Sequence, residues 1–169
     1  MAGMMEAGPW GVFAFGLSLG LTLLCERIAP RVGLVSVPRS DRWHGAPVPL
    51  LGGLAIASGT LLPLALSGQA TGTLVVLSLA AAGIAVVGLI DDICSLRPQI
   101  KLGAQIVVAA VLLYLGFVMR LTGFPLLNVF ITLVWIVGIT NAFNLLDNMD
   151  GLAAGVAALA AAFRLVFFL

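Results

Sequence analysis

Residues 71–92 read TGTLVVLSLAAAGIAVVGLIDD. The apolar run from Thr71 to Ile90 has the length of a membrane-spanning helix, which needs about 20 mostly apolar residues. Two adjacent aspartates, Asp91 and Asp92, follow the run without a spacer. The stretch therefore predicts a helix that crosses a bilayer and carries its acidic residues at one membrane surface.

The composition extends this prediction to the whole chain. The sequence has 169 residues, of which 62% are hydrophobic and 9% are charged, whereas soluble domains carry about 25% charged residues. So few charges could not cover the surface of a soluble protein of this size, so lipid is the predicted solvent. The net charge of +1 predicts no nucleic-acid partner.

Further apolar runs of similar character lie on both sides of this segment. None of them alternates apolar and polar residues, which excludes the strands of a membrane β-barrel. We predict an all-α fold, a polytopic helix bundle of about six transmembrane helices, with residues 1–169 forming a single membrane domain. The other predicted runs are Trp10–Cys25, Leu50–Leu66, Leu102–Met119, Pro125–Thr140 and a last one that starts at Leu152.

The charges predict the orientation. The first, third and fifth connections share one side of the membrane, because each helix crosses once. Six of the seven acidic residues and both cysteines, predicted to be free thiols, fall on that side. By the positive-inside rule this side is cytoplasmic and the N-terminus is outside. The basic residues that carry the prediction are Arg27, Arg31, Arg39, Arg42, Arg97 and Lys101.

Asp91 and Asp92 are the first candidates for chemistry. Adjacent carboxylates repel each other, and on a helix they point about 100° apart, so each can address a different partner. A divalent cation would relieve the repulsion. The alternative is a solvated pair at a helix end.

The second acidic stretch, residues 141–151, reads NAFNLLDNMDG. If this stretch is helical, Asn144, Asp147 and Asp150 fan over one side, because they are spaced by three. Such a set offers only oxygen donors, which suit Mg²⁺. The alternative is a polar loop in which Asp150 caps a helix that starts near Gly151.

Basic residues complete this membrane face. Lys101 could bind a phosphate as a point charge or be an interfacial lysine that extends toward water. Arg42 and His44 lie in a loop between Pro38 and Pro49, which could attract an anionic lipid or nucleotide or be merely solvated. Two acidic clusters, a lysine and a basic loop on one face suit a metal-dependent reaction on a phosphorylated substrate at the lipid surface.

Three motifs, in this order, make the chain resemble the polyprenyl-phosphate N-acetylhexosamine-1-phosphate transferases. The first is the loop with Arg42, His44, Pro47, Pro49 and Gly52-Gly53. The second is GLIDD at 88–92, with LRP at 96–98 and KLGAQ at 101–105. The third is NAFNLLDNMDGLAAG at 141–155. The resemblance covers nearly the whole chain, although Asn148 stands where many members have glycine.

The resemblance implies a fold of roughly ten helices and a Mg²⁺-dependent phosphoglycosyl transferase, with Mn²⁺ as an alternative ion. A polyprenyl phosphate such as undecaprenyl phosphate would attack a UDP-N-acetyl sugar at the cytoplasmic face of the bacterial inner membrane. The products would be a lipid-linked sugar diphosphate for cell-envelope polysaccharides and UMP. The motif around Leu96 and Pro98 favours the branch that uses UDP-GlcNAc over the branch that makes peptidoglycan lipid I. A homodimer is one assembly to consider.

The resemblance also implies a role for each matching residue. The predicted catalytic residues are Asp91, Asp92 and Asp150, the predicted metal ligands are Asn144 and Asp147, and the predicted substrate-binding residues are Lys101, His44, Arg42 and Asn141.

Rival interpretations concern the length of the chain and the class of protein. We expect the chain to be the N-terminal part of a longer enzyme and to be inactive alone. An inactive truncated relic and a piece of a transporter are the alternatives. An intramembrane aspartyl protease is disfavoured, because the aspartates lie at helix ends and its Gly-x-Gly-Asp pattern is missing.

Overall fold

A computed structural model of the chain describes residues 2–36, 48–69, 71–147, 149 and 151–168. These residues form six α-helices and a pair of two-residue strands, which confirms the predicted all-α helix bundle. The strands, β1 (Val35–Ser36) and β2 (Val48–Pro49), pair antiparallel between the first two helices. The helices are α1 (Ala2–Ile28), α2 (Gly52–Leu66), α3 (Gly72–Cys94), α4 (Pro98–Tyr114), α5 (Pro125–Leu146) and α6 (Leu152–Phe168).

Local sequence signals set the helix ends. Pro98 and Pro125 occupy the first turns of α4 and α5, where a missing N–H costs nothing and the fixed φ favours the helix. Thr71 caps α3 by accepting a hydrogen bond from the Leu74 N–H at 3.4 Å. Beyond α4, Gly116 has a φ of +89°, a conformation that costs glycine little, and the chain turns there.

The predicted end of α3, start of α4 and end of α5 were wrong: each helix extends into a segment predicted as a connection. α3 continues through Asp91 and Asp92, and α5 continues through Asn141 and Asn144. α4 begins at Pro98, before Lys101, and ends earlier than predicted, at Tyr114. Apolar content marks the part of a helix that faces lipid, but a helix ends only where its backbone hydrogen bonding is interrupted.

Helix length separates two groups among the described residues. Three segments are long and apolar enough to cross a membrane: Gly8–Ile28, Gly72–Cys94 and Pro125–Leu146. The helices α2, α4 and α6 are also apolar but have 15, 17 and 17 residues. At about 1.5 Å per residue, α2 spans roughly 22 Å, less than the roughly 30 Å hydrocarbon core. That these three also cross the bilayer stays a prediction.

Packing occurs mainly between helices that are consecutive in the sequence. Buried apolar side chains in the described part of the chain are few and mostly small, and they include Ala29, Ala55, Ala109 and Leu112. Many large apolar side chains on every helix are instead exposed. Small residues between helices and large apolar residues outside are typical of a bundle whose outer surface faces lipid.

A polar cluster fixes the connection between α4 and α5. The Asn128 side chain is 6% exposed, and its oxygen accepts hydrogen bonds from the Leu121 and Thr122 N–H groups at 3.1 and 2.9 Å. The Thr132 hydroxyl accepts one from the Met119 N–H at 2.9 Å. These bonds satisfy backbone groups of the turn and hold it against the first turns of α5.

α1 and α2 approach each other closely at Gly59. A Cβ atom added at Gly59 would lie 2.6 Å from the Cβ and 2.7 Å from the Cα of Ser18. Real Cβ atoms do not approach other carbons so closely, so glycine at position 59 permits this contact. At Gly53, in the same helix, an added Cβ atom would have no heavy atom of another described segment within 4 Å.

We therefore expect Gly59→Ala to destabilise the protein by about 1–3 kcal/mol, the usual cost of forcing atoms into a packed contact. The measurement is thermal unfolding of the detergent-purified protein, followed by circular dichroism. Gly53→Ala is the matched control and should leave the melting temperature unchanged or higher, since alanine favours helix. Equal melting temperatures for the two variants would contradict the α1–α2 packing.

Candidate active site

Three helix ends meet at one end of the bundle. α3 ends there with Asp91 and Asp92 in its last turn, and a short turn leads directly into α4, whose first turn contains Lys101. α4 leads away, and α5 returns with Asn141 and Asn144 near its C-terminus. The predicted gathering of these two motifs at one end of the bundle is thus present.

Lys101 joins the two motifs. Its Nζ donates to Oδ2 of Asp91 at 2.8 Å and to Oδ1 of Asn144 at 2.8 Å. The Lys101 and Asp91 side chains are 17% and 23% exposed, respectively. An ion pair that is largely shielded from water is stronger than one on the surface. The ammonium therefore links three helices through one charge.

Asp91 is held from both of its oxygens. While Oδ2 accepts from Lys101, Oδ1 accepts from the Leu96 N–H at 3.0 Å. Leu96 lies in the turn between α3 and α4, directly after Ser95, which is left-handed with a φ of 50°. The carboxylate thus stabilises the turn and orients the Lys101 side chain. In this structure Asp91 is a residue that orients Lys101.

One pair in the site was missed by the sequence analysis. The Asn141 Nδ2 donates to Gln105 Oε1 at 2.6 Å and to the Val137 carbonyl at 2.8 Å, and Gln105 Nε2 donates to Asn141 Oδ1 at 3.4 Å. Gln105 is 3% exposed. A signal was present, since Gln105 is a polar residue in an apolar run, one helical turn after Lys101. The substrate-binding role of Asn141 stays a prediction.

A cavity of about 440 Å³ opens beside these residues. Lys101, Asn144, Gln105 and Thr140 form its polar wall, and α3, α4 and α5 contribute apolar side chains to the rest. A charged group at the edge of an apolar cavity suits a molecule with an anionic head and a hydrocarbon tail. The apolar lining includes Val87, Val108, Ile139 and Phe143.

The remaining predicted residues have different positions. Asp92 is exposed, next to Asp91 in the last turn of α3. Asp147 directly follows α5, and its exposed carboxylate forms no hydrogen bond or ion pair with a described residue. Arg42, His44 and Asp150 lie outside the described residues.

The donor chemistry agrees with a hard cation, because Asp92, Asn144 and Asp147 would each bind a metal through a side-chain oxygen. Within the described ranges, however, no three His, Cys, Asp or Glu side chains form a metal-binding group. Asn144 Oδ1 also faces the Lys101 ammonium at 2.8 Å. A cation held by that oxygen would therefore lie close to the Lys101 ammonium.

Comparisons with known proteins agree with this arrangement. The sequence model described as "Glycosyl transferase family 4" matches residues 74–169, more than half of the chain. The match includes the last turn of α3, the start of α4 and the end of α5. No solved structure gives a significant match.

Three curated relatives are similar over most of the chain. A Bacillus subtilis protein named "Probable undecaprenyl-phosphate N-acetylglucosaminyl 1-phosphate transferase" is 36% identical over 80% of this chain. A Mycobacterium leprae "Decaprenyl-phosphate N-acetylglucosaminephosphotransferase" is 33% identical over 90% of it. A Lactobacillus delbrueckii "Phospho-N-acetylmuramoyl-pentapeptide-transferase" is 32% identical over 70% of it.

The chain covers only part of each relative, namely 41%, 44% and 45% of their lengths. The family match nevertheless includes both acidic motifs and the lysine between them. On this match, the chain belongs to glycosyl transferase family 4.

Proposed function

We propose that the protein containing this chain transfers a sugar 1-phosphate, in particular GlcNAc-1-phosphate, from a UDP-sugar to a polyprenyl phosphate and releases UMP. The observation that carries the proposal is Lys101, which is held by Asp91 and Asn144 at the edge of an apolar cavity. The printed names of the Bacillus and Mycobacterium relatives, an undecaprenyl-phosphate and a decaprenyl-phosphate transferase, support the same chemistry.

The reaction determines what the site must stabilise. An oxygen of the lipid phosphate attacks the β-phosphorus of the UDP-sugar, and the bond from that phosphorus to the bridging oxygen breaks. UMP leaves with that oxygen. A phosphate monoester has a second pKa of about 6 and is mostly dianionic at pH 7, so the nucleophile needs little help from a base. The larger demand is to neutralise charge where two anions meet.

The residues divide this work. Lys101 binds a phosphoryl oxygen, and Asp91 orients its ammonium. Asp92 and Asp150 remain candidate catalytic carboxylates, and Arg42, His44 and Asn141 remain candidate substrate ligands. Asn144 and Asp147 would hold Mg²⁺, or Mn²⁺, which when bound neutralises phosphate charge and polarises the reacting phosphorus.

The substrates differ in solubility, so the site must lie where lipid and water meet. We assign it to the cytoplasmic face of the bacterial inner membrane, with the N-terminus outside. The apolar cavity supplies lipid-compatible walls, while the exposed Asp92 and Asp147 face the aqueous side. Dimerisation stays a prediction, as does the inactivity of residues 1–169 alone.

A second candidate reaction is the formation of lipid I. It is favoured by the similarity to the Lactobacillus pentapeptide transferase. The two reactions differ only in the donor, so an assay that offers UDP-GlcNAc and UDP-MurNAc-pentapeptide separately distinguishes them. We expect turnover of UDP-GlcNAc.

The carboxylates are tested by neutral substitutions in the full coding sequence that contains this chain. We expect Asp92→Asn and Asp147→Asn each to lower kcat for UMP release about 100-fold or more, the usual effect of removing one group that stabilises developing charge. The assay supplies UDP-GlcNAc, undecaprenyl phosphate and Mg²⁺ to purified protein in detergent.

Glu26→Gln is the matched control, because Glu26 is an exposed acid near the predicted cytoplasmic end of α1 and lies outside both motifs. It should keep wild-type activity. Full activity in either aspartate variant would remove that carboxylate from the site. No UMP release by the wild-type protein with either UDP-sugar would overturn the proposed function.

Metal dependence is tested by removal of divalent ions. We expect EDTA to abolish UMP release, and Mg²⁺ in excess of the chelator to restore it, because phosphoryl transfer between two anions requires charge neutralisation. Ca²⁺ in the same excess serves as the comparison, since its longer bonds and flexible geometry fit a Mg²⁺ site poorly. Undiminished turnover in EDTA would contradict the assignment of a metal.

Orientation is tested with the exposed thiol Cys94, at the end of α3. In spheroplasts carrying a Cys25→Ala background, a membrane-impermeant maleimide should label Cys94 only after permeabilisation. Gly123→Cys, in the connection between α4 and α5, is the opposite-side control and should react in intact spheroplasts. Labelling of Cys94 from outside would reverse the assigned topology.

A further inference from the structure

We propose that Gln105 is a positioning residue, which pairs with Asn141 to hold α4 and α5 in the one register that places Lys101 against Asn144. The inference rests on the proposed function for its catalytic consequence. Its geometric part concerns this chain alone and can be measured without turnover.

The pair is reciprocal, and Gln105 is its buried member, whereas Asn141 is exposed. Gln105 is 3% exposed, and both its amide oxygen and its amide nitrogen bond to the Asn141 side chain, at 2.6 and 3.4 Å. Asn141 has a second partner in its own helix, the Val137 carbonyl at 2.8 Å. These bonds fix the orientation of the Asn141 amide. Gln105 can therefore bond to it in only one axial position of α4 relative to α5.

The pair lies one helical turn from the charged contact. Lys101 and Gln105 are four residues apart on α4, and Asn141 and Asn144 are three apart on α5. Residues with these spacings lie on the same face of a helix, one above the other. The contacts Lys101–Asn144 and Gln105–Asn141 thus form two adjacent rungs between antiparallel helices. A slip of one residue would break both.

In a lipid environment such a pair can determine the register of two helices. Apolar contacts between helices are hardly favoured over contacts with lipid tails, so they fix the register weakly. Gln105 is 3% exposed, so without Asn141 its amide would be buried with little access to water. The amide pair therefore selects one relative height of the two helices. Lys101 has a long, flexible side chain, so it depends on the neighbouring rung for its position.

Lys101 gives a direct readout, because it is the only lysine in this sequence. Gln105→Leu removes the amide pair and keeps the side-chain volume roughly the same. We expect acylation of Lys101 by an amine-reactive reagent, followed by peptide mass spectrometry, to become about tenfold faster, because the hydrogen bonds to its charged group weaken. Gln99→Leu is the matched control, since Gln99 is exposed in the first turn of the same helix. It should leave the rate unchanged.

Kinetics then test the catalytic consequence in the full coding sequence. We expect Gln105→Leu to lower kcat/KM for UMP release about tenfold, as is expected when a hydrogen bond to a charged group weakens. In a Lys101→Met background the same substitution should cause little further loss. A full additional loss in that background would show that Gln105 acts on something other than Lys101.

A swap of the two amides guards against a variant that fails to fold. Gln105→Asn shortens one partner and should accelerate acylation of Lys101, and addition of Asn141→Gln should restore the slow rate by lengthening the other. An unchanged acylation rate in the single variant, or no rescue in the double variant, would overturn the proposal. Because labelling needs no substrate, an inactive wild-type protein would count against the proposed function only.

Discussion

The rest of the site depends on the hydrogen bonds of the Lys101 ammonium. This ammonium is bound by a carboxylate from α3 and an amide oxygen from α5, both at 2.8 Å, and it belongs to α4. Three helix ends that otherwise meet through few large buried side chains are joined by one positive charge. In the proposed function, the same ammonium is the group that would bind a phosphoryl oxygen. The same contact serves the fold and the proposed chemistry.

Asp91 and Asp92 illustrate how adjacent carboxylates can have different tasks. Asp91 closes the turn to α4 through the Leu96 N–H and aims Lys101, whereas Asp92 lies in the exposed part of the same helical turn. The angle of about 100° between neighbouring side chains on a helix separates them. Two residues that form one acidic motif in the sequence therefore have different surroundings: Asp91 is in an ion pair with Lys101, and Asp92 is exposed.

The sequence predicted the fold class well because lipid imposes a simple rule. Apolar runs such as Thr71–Ile90 must become helices, since no other isolated segment satisfies its backbone inside a bilayer. The rule does not locate helix ends, which explains why Asp91, Lys101 and Asn144 lie in helices and not in the predicted connections. It also says nothing about which faces meet. The pairing of Gln105 with Asn141, and the Asn128 cluster, depend on the rotation of α4 against α5, and apolar periodicity carries little of that information when the whole helix is apolar.

Side-chain hydrogen bonds connect α4 and α5 at both ends of the hairpin that they form. At the turn, Asn128 and Thr132 bind the backbone that leaves α4, and near the site Gln105 and Asn141 bind each other. Between these two sets of contacts the number of residues cannot change freely, because one inserted residue rotates everything beyond it by about 100°. The lipid-facing side chains of the same stretch carry no such restriction. We therefore expect the hairpin to tolerate substitutions on its outer surface better than a change in its length between these two sets of contacts.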